Sequence, residues 1–228
     1  RRVAQRIYEE CTAKLQTKEY SVRNLLRKMN VKVVCTTDDP VDNLEHHRKL
    51  KEDGFEVKIL PAYRPDKAMA VDDAVTFNGY VAKLQAAANV SITGFNSYLD
   101  ALKKQHDFFA TMGCSVSDHG LEQIYAEDYT ESDVKNIYKK IAGGNQLSQE
   151  EVLKFKSAML VIFATWDWEK GWVQQYHLGA LRNNNTRSSA DNSRFNITWT
   201  ACSGSTPCQK ATNWTSSATF PIALPYTY

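Results

Sequence analysis

Short β-branched apolar runs, each stopping at polar residues or a proline and separated by helix-patterned stretches, decide what this chain can become. Residues 31–36, Val-Lys-Val-Val-Cys-Thr, make the first run, and their character predicts a buried strand. Asp39-Pro40 breaks it. Residues 41–52 then set Leu44 and Leu50 among charged side chains, the pattern of a helix laid on one face of a sheet, and Gly54 ends it. Residues 55–60 form a second strand stopped by Pro61. Strand, helix and strand at this spacing predict a parallel βαβ unit, because parallel neighbours need a crossover of about a dozen residues or more.

The alternation continues. Residues 3–15 have apolar side chains at helical spacing, and Ser21 can cap a short helix reaching Met29. Helices are predicted over 77–88 and 95–112, with Gly94 and Gly113 as punctuation, and a third strand over 114–117 that ends at Asp118-His119-Gly120. Residues 132–142 and 148–168 are helical in pattern, the latter opened by a capping box of Ser148 and Glu151. A fourth strand covers 172–177. The expected class is α/β: parallel strands with covering helices, either a partial TIM-type (β/α)8 barrel or an open sheet. Four strands do not close a barrel, and open parallel edges invite pairing or aggregation.

Charge narrows the partners. The 28 basic and 26 acidic residues are interspersed, so no basic stripe provides a footprint for nucleic acid. No apolar run approaches the roughly 18 residues needed to cross a bilayer, and residues 1–16 are charged rather than signal-like, which predicts a cytoplasmic protein without a membrane partner. Cys11, Cys35, Cys114, Cys202 and Cys208 lack the paired spacing of zinc or redox motifs; Cys35 and Cys114, in apolar runs, are expected to be buried thiols. Composition shifts abruptly near Arg187. Beyond it only Asp191, Arg194 and Lys210 are charged and Ser and Thr dominate, which divides the chain into a domain over 1–187 and an atypical tail over 188–228. The Asn-x-Thr triplets at Asn196 and Asn213, with the Cys202 and Cys208 pair, would suit a secreted domain, but such triplets are common by chance.

In parallel α/β folds functional groups gather where the C-terminal strand ends and their loops converge. Those ends carry Thr36-Thr37-Asp38-Asp39, Tyr63-Arg64, Asp118-His119, and His177 with Arg182. Arg64 and Arg182 suit a carboxylate or phosphate, since a guanidinium donates two parallel hydrogen bonds and keeps its charge. The plainer role for Arg64 is a loop ion pair with Asp66. His177 could ligate a metal, move a proton, or sit hydrogen-bonded in a core, and pattern alone favours the core. Asp118, close before Gly120, could simply form a turn. His46-His47 lies within a charged helix and reads as a solvated or partly packed face. Trp166, Trp168 and Trp172 read as packing, with an aromatic floor for a sugar ring as the alternative.

Four strings are more specific. Thr37-Asp38-Asp39-Pro40-Val41-Asp42-Asn43-Leu44-Glu45-His46-His47, Leu60-Pro61-Ala62-Tyr63-Arg64-Pro65-Asp66-Lys67, Ser117-Asp118-His119-Gly120 and Gln175-Tyr176-His177-Leu178-Gly179-Ala180-Leu181-Arg182-Asn183-Asn184-Asn185-Thr186-Arg187 occur in the order of the uronate (glucuronate) isomerases, members of the amidohydrolase superfamily. The resemblance runs from about Ile7 to Arg187. It implies a (β/α)8 barrel that interconverts D-glucuronate, and D-galacturonate, with the corresponding keto acids. It also implies a divalent metal such as zinc in the complete enzyme, a small-molecule uronate as partner, and compatibility with a homo-oligomer. By motif, His177 and Asp118 resemble the catalytic residues and Arg64 and Arg182 the substrate-binding ones. That division suits the chemistry, because a uronate carboxylate calls for arginine and proton movement between adjacent sugar carbons calls for positioned acid–base groups.

The departures carry expectations too. The family's His-x-His metal pair and the metal-binding aspartate of its last strand have no counterpart here, so the chain is expected to be a central fragment, without tightly bound metal and inactive alone. The tail lacks the family's Gly-Pro-Asp-Thr-Gly continuation. The codons that residues 205–214 permit, read from their third position, allow Asp-Thr-Leu-Ser-Lys-Ser-Asn-Lys-Leu, which resembles the family's following helix, so the tail is read as an out-of-frame translation. Two other functions compete: a metal-dependent hydrolase of the same superfamily, and a non-catalytic sugar-acid binding fragment built on Arg64 and Arg182.

Overall fold

The structure, a computed structural model, describes residues 2–179. Its elements run α1 (Arg2–Leu15), a 3-10 turn (Lys18–Tyr20), α2 (Val22–Lys28), β1 (Val33–Cys35), α3 (Glu45–Glu52), β2 (Lys58–Leu60), a 3-10 turn (Asp66–Met69), α4 (Ala74–Ala88), α5 (Phe95–Thr111), β3 (Val116–Leu121), α6 (Glu131–Ala142), α7 (Gln149–Lys170) and β4 (Val173–Leu178). The Arg182 guanidinium and the tail over 188–228 lie outside the described residues.

The strands are parallel. β1 pairs with β2 in the register Val34 to Ile59, and β3 with β4 in the register Asp118 to Gln175. Two single parallel bridges, Asp38 to Tyr63 and Tyr63 to Ser117, carry the ladder from the first pair to the second. The strands therefore neighbour one another in chain order. This α/β arrangement of parallel strands with helical crossovers agrees with the expected class; a closed barrel is not formed among the described residues.

Helices begin where side chains take up orphan amides. Ser148 Oγ accepts from the Glu151 amide while Glu151 accepts from the Ser148 amide, the predicted box opening α7. Thr130 and Asp133 make a second such box at α6 that the sequence reading passed over. Ser21 stands at the start of α2 but its hydroxyl makes no capping bond, contrary to expectation. The faces of α4, α5, α6 and α7 meet in one core around Phe77, Tyr98, Leu102, Ile141, Phe155 and Phe163. Aromatic edges pack there, Phe77 against Tyr98 at 5.8 Å and against Phe155 at 6.2 Å. A second cluster of Leu44, Tyr63, Phe109 and Cys114, with Trp172 against it, lies beneath the strands.

Three expectations are corrected. The first strand is short and not buried: among the described residues β1 pairs only with β2, so Val33 and Cys35 are exposed, and the Cys35 thiol is not a core group. Cys114 is buried as expected. Trp168 is exposed rather than packed, because it falls on the outer side of α7, whereas Trp166 packs on the main core. The third strand does not stop before Asp118; it runs through Leu121, so Asp118 and His119 are strand residues and no turn forms there. No helix among the described residues is long and apolar enough to cross a membrane.

Candidate active site

The site forms where the backbone ladder brings three polar strand ends together. The Arg64 amide donates to Asp38 O at 2.9 Å and the Asp118 amide to Tyr63 O at 3.0 Å, which sets the end of β2 between those of β1 and β3. Tyr63, fully buried, anchors this junction: its ring meets His106, Phe109 and Trp172 edge-on. Burial pushes its hydroxyl well above the usual phenol range, with the Asp167 and Asp39 charges adding to the rise. Arg64, the next residue, is thereby delivered to the strand ends on a fixed backbone.

Asp118 stands at the centre. Successive strand residues point to opposite faces, so Asp118 shares the open face with Gly120 while Ser117 and His119 turn toward the helices. His177 sits two residues beyond Gln175, the register partner of Asp118, and so lies diagonally across from it, within reach of a long side chain. Its Nε2 is 2.7 Å from Asp118 Oδ1, a close contact outside good hydrogen-bond alignment, and also 3.2 Å from Gln175 Nε2. Asp118 Oδ2 lies 3.2 Å from Arg64 Nη1 and 3.5 Å from the Thr37 hydroxyl. Asp118 is almost wholly buried, whereas Arg64 and His177 keep about a third of their side chains exposed, at 31% and 35%. The carboxylate is thus covered by two groups that remain open to a ligand.

Arg64 has a second anchor. Its Nε donates to Asp66 Oδ2 at 2.8 Å, and the Gly120 amide donates to the same oxygen at 2.9 Å. The plainer sequence reading, an Arg64–Asp66 loop pair, therefore holds, and Arg64 reaches Asp118 as well. Burial pushes the Asp66 carboxyl up, yet the group lies below the usual carboxylate range, with the Arg64 guanidinium and the Gly120 amide both bonded to it. A half-buried Arg gripped by one carboxylate and directed at another keeps donors free for an incoming anion.

Of the four residues singled out from sequence, Arg64, Asp118 and His177 come together here, and Arg182 lies outside the described residues. His46 is solvated, as expected of a helix surface, while His47 is packed, with Nε2 2.7 Å from the Thr36 hydroxyl, itself bonded to Asp38 at 2.6 Å. Sequence reasoning set His119 among the polar strand ends but gave it no role of its own; it is fully buried beneath the site with Nδ1 3.7 Å from Asp66 Oδ1. The signal was the alternation of β3, which places His119 opposite to Asp118. Among the described residues no three His, Cys, Asp or Glu side chains converge as metal ligands; Asp118 and His177 offer two donors, one or more short of a metal site.

Known proteins match the chain in sequence and in fold. The glucuronate isomerase family model matches residues 1–192. The chain is 56% identical over 186 residues to a uronate isomerase of Bacteroides thetaiotaomicron and 54% identical to one of Phocaeicola vulgatus, in each case over 82% of this chain and 40% of the relative. It spans well under half the length of those relatives. Among solved structures, the uronate isomerase of Thermotoga maritima superposes with a TM-score of 0.75 at 37% identity, over 87% of this chain and 44% of that one. The glucuronate isomerase of Caulobacter crescentus gives a TM-score of 0.70 at 26% identity, over 78% and 37%. A match over most of the chain, at this identity and with this superposition, leaves one assignment: the chain belongs to the glucuronate (uronate) isomerase family.

Proposed function

We propose that this chain supplies the carboxylate-recognising and acid–base part of a uronate isomerase active site on a partial (β/α)8 barrel. The reaction is interconversion of D-glucuronate, and D-galacturonate, with the corresponding keto acids. Arg64, with Arg182, takes the substrate carboxylate; Asp118 and His177 are the acid–base residues. The observation that carries this reading is Asp118 between Arg64 at 3.2 Å and His177 at 2.7 Å, at the C-terminal ends of parallel strands. Aldose–ketose isomerisation moves a hydrogen between adjacent carbons and a proton between their oxygens. A carboxylate and an imidazole in contact can accept and return those protons, while an arginine a short distance away fixes the far end of the sugar acid.

The described residues do not by themselves fit a divalent metal, so no step is routed through one. In this proposal, metal ligands come from other segments of a complete isomerase, the protein is cytoplasmic, and this polypeptide alone does not turn over D-glucuronate. Tail residues 188–228 are, in this proposal, an out-of-frame translation, so their deletion should leave uronate binding unchanged.

Binding, the coding locus and turnover each test the proposal. The 228-residue chain is titrated with D-glucuronate and with D-glucose, which lacks the carboxylate; saturable binding of the acid alone is expected, and equal response to both would overturn the Arg64 assignment. The coding locus is translated in all frames on both sides of this segment. An upstream His-x-His pair and a downstream metal-binding aspartate are expected; without them, sugar-acid binding without isomerisation becomes the function. Turnover of D-glucuronate by the chain alone would overturn the predicted inactivity, and lactone or amide hydrolysis would point to the hydrolase reading.

A further inference from the structure

Beneath the site, on the helix-facing side of the strands, lies a chain of buried polar groups that the acid–base reading does not use. Asp167, on α7 and with no exposed surface, receives three donors. Ser117 Oγ donates to Oδ2 at 2.6 Å, Gln174 Nε2 lies 3.2 Å from the same oxygen, and His106 Nε2 lies 3.0 Å from Oδ1. His106 lies against Trp172, ring centroids 4.1 Å apart and the rings tilted by 30°. From Ser117 the chain continues upward: His119 Nε2 lies 3.3 Å from Ser117 Oγ, and the ring is stacked between Tyr176 at 5.0 Å and Phe163 at 6.4 Å. The other ring nitrogen, Nδ1, makes no hydrogen bond among the described residues and faces Asp66 Oδ1, likewise without one, at 3.7 Å.

Hydrogen-bond direction fixes the rest. A carboxylate with converging donors only accepts, so the one proton of the Ser117 hydroxyl points at Asp167. The Ser117 oxygen can then only accept from His119, and His119 must carry a proton on Nε2. Its Nδ1 edge is left facing Asp66, the carboxylate that grips Arg64 Nε and the Gly120 amide through its other oxygen. If the ring proton moved to Nδ1, it would draw Asp66 Oδ1 into a bond with His119 and turn the carboxylate away from Arg64.

We propose that Asp167, a buried carboxylate outside the site, is a positioning residue for Arg64, acting through Ser117, His119 and Asp66. It sets the proton on His119 Nε2, which keeps Asp66 aligned on the arginine. The role of Arg64 as the carboxylate ligand rests on the function proposed above; the proton assignment does not.

The test is nitrogen-detected NMR of the histidine side chains in the 228-residue chain, followed by titration with D-glucuronate. In the wild type, His119 is expected to show a protonated Nε2. Ser117→Ala, which removes the acceptor with minimal change in volume, is expected to shift the proton to Nδ1, to alter the Arg64 Nε–H resonance, and to weaken D-glucuronate binding about tenfold, the effect of misaligning one charge-assisted hydrogen bond. Asp167→Asn is the second variant, expected to act in the same direction. A wild-type His119 with a bare Nε2 overturns the proposal without any variant, and so does a folded Ser117→Ala chain with unchanged His119 and Arg64 signals. If the wild type does not bind D-glucuronate while the His119 signals behave as expected, the substrate assignment fails and the positioning chain stands.

Discussion

Arg64 lies directly over Gly120: a Cβ built at Gly120 would stand 2.2 Å from Arg64 Nη2 and 3.3 Å from Asp66 Oδ2. The backbone of Gly120 needs no left-handed conformation, so the requirement for glycine is one of space. Gly120→Ala is therefore expected to leave the fold intact and to push the guanidinium away from Asp118. In the substrate reading this weakens D-glucuronate binding about tenfold, the scale of one charge-assisted hydrogen bond, while response to D-glucose stays unchanged. Calorimetric titration of the wild type and the variant checks it; an Ala chain that binds the acid as tightly as the wild type would show that Arg64 is not seated on this glycine.

Replacing Arg64 by Lys tests the fork rather than the charge. Arg64 serves Asp66 through Nε and Asp118 through Nη1, and a single ammonium cannot occupy both positions. Arg64→Lys is expected to lose about 1.5–3 kcal/mol of binding to a carboxylate ligand, the range for hydrogen bonds to charged groups. Equal affinity of the two chains would assign the site a simple cationic role.

How much of this was legible in advance depends on which interaction set each feature. The order of strands and helices followed from alternating β-branched runs and amphipathic stretches, since those periods are local. Which strands are buried did not: the run at residues 31–36 is apolar enough for a core strand, yet β1 lies at the end of the ladder and Val33 is half exposed. Arg64, Asp118 and His177 were found because they sit at strand ends in strings with a family resemblance. The Arg64–Asp66 pair is local and was expected, but the reach of Asp66 to the Gly120 amide and the bond of Ser117 to Asp167 join distant parts of the chain, which no local period encodes.

Acid should reach Asp66 late. Its folded carboxyl lies below the usual range despite burial, with the Arg64 guanidinium and the Gly120 amide bonded to it. A depressed folded pKa means stability that is fully present above the unfolded aspartate value of about 3.9 and lost as pH falls through the folded value. Asp66→Asn should lower stability at neutral pH and narrow its gap to the wild type below that value. Denaturant melts at several pH values check this; a gap constant with pH would mean the ion pairs of Asp66 contribute nothing.

The main core can be probed without touching the site. Phe77 is fully buried and meets Tyr98, Tyr138 and Phe155, so Phe77→Ala removes a ring where four helices join. A loss of about 3–5 kcal/mol is expected for such a truncation, measured by urea unfolding. A loss below about 1 kcal/mol, the surface scale, would place Phe77 outside the cooperative core.

Cysteine reactivity separates the cluster beneath the strands from the exposed chain. Cys114 is buried with Leu44, Tyr63 and Phe109, its thiol directed at Val116 O, and burial raises it to about 11. Thiolate is the reactive form, so at neutral pH Cys114 is both inaccessible and almost wholly protonated. Cys11 and Cys35 are exposed. In native buffer a maleimide should label Cys11 and Cys35 quickly and Cys114 only as fast as the chain opens, with mapped peptides distinguishing the sites. Equal labelling of Cys35 and Cys114 would mean that the cluster opens readily, and Tyr63 would then lack the packed support that delivers Arg64 to Asp118.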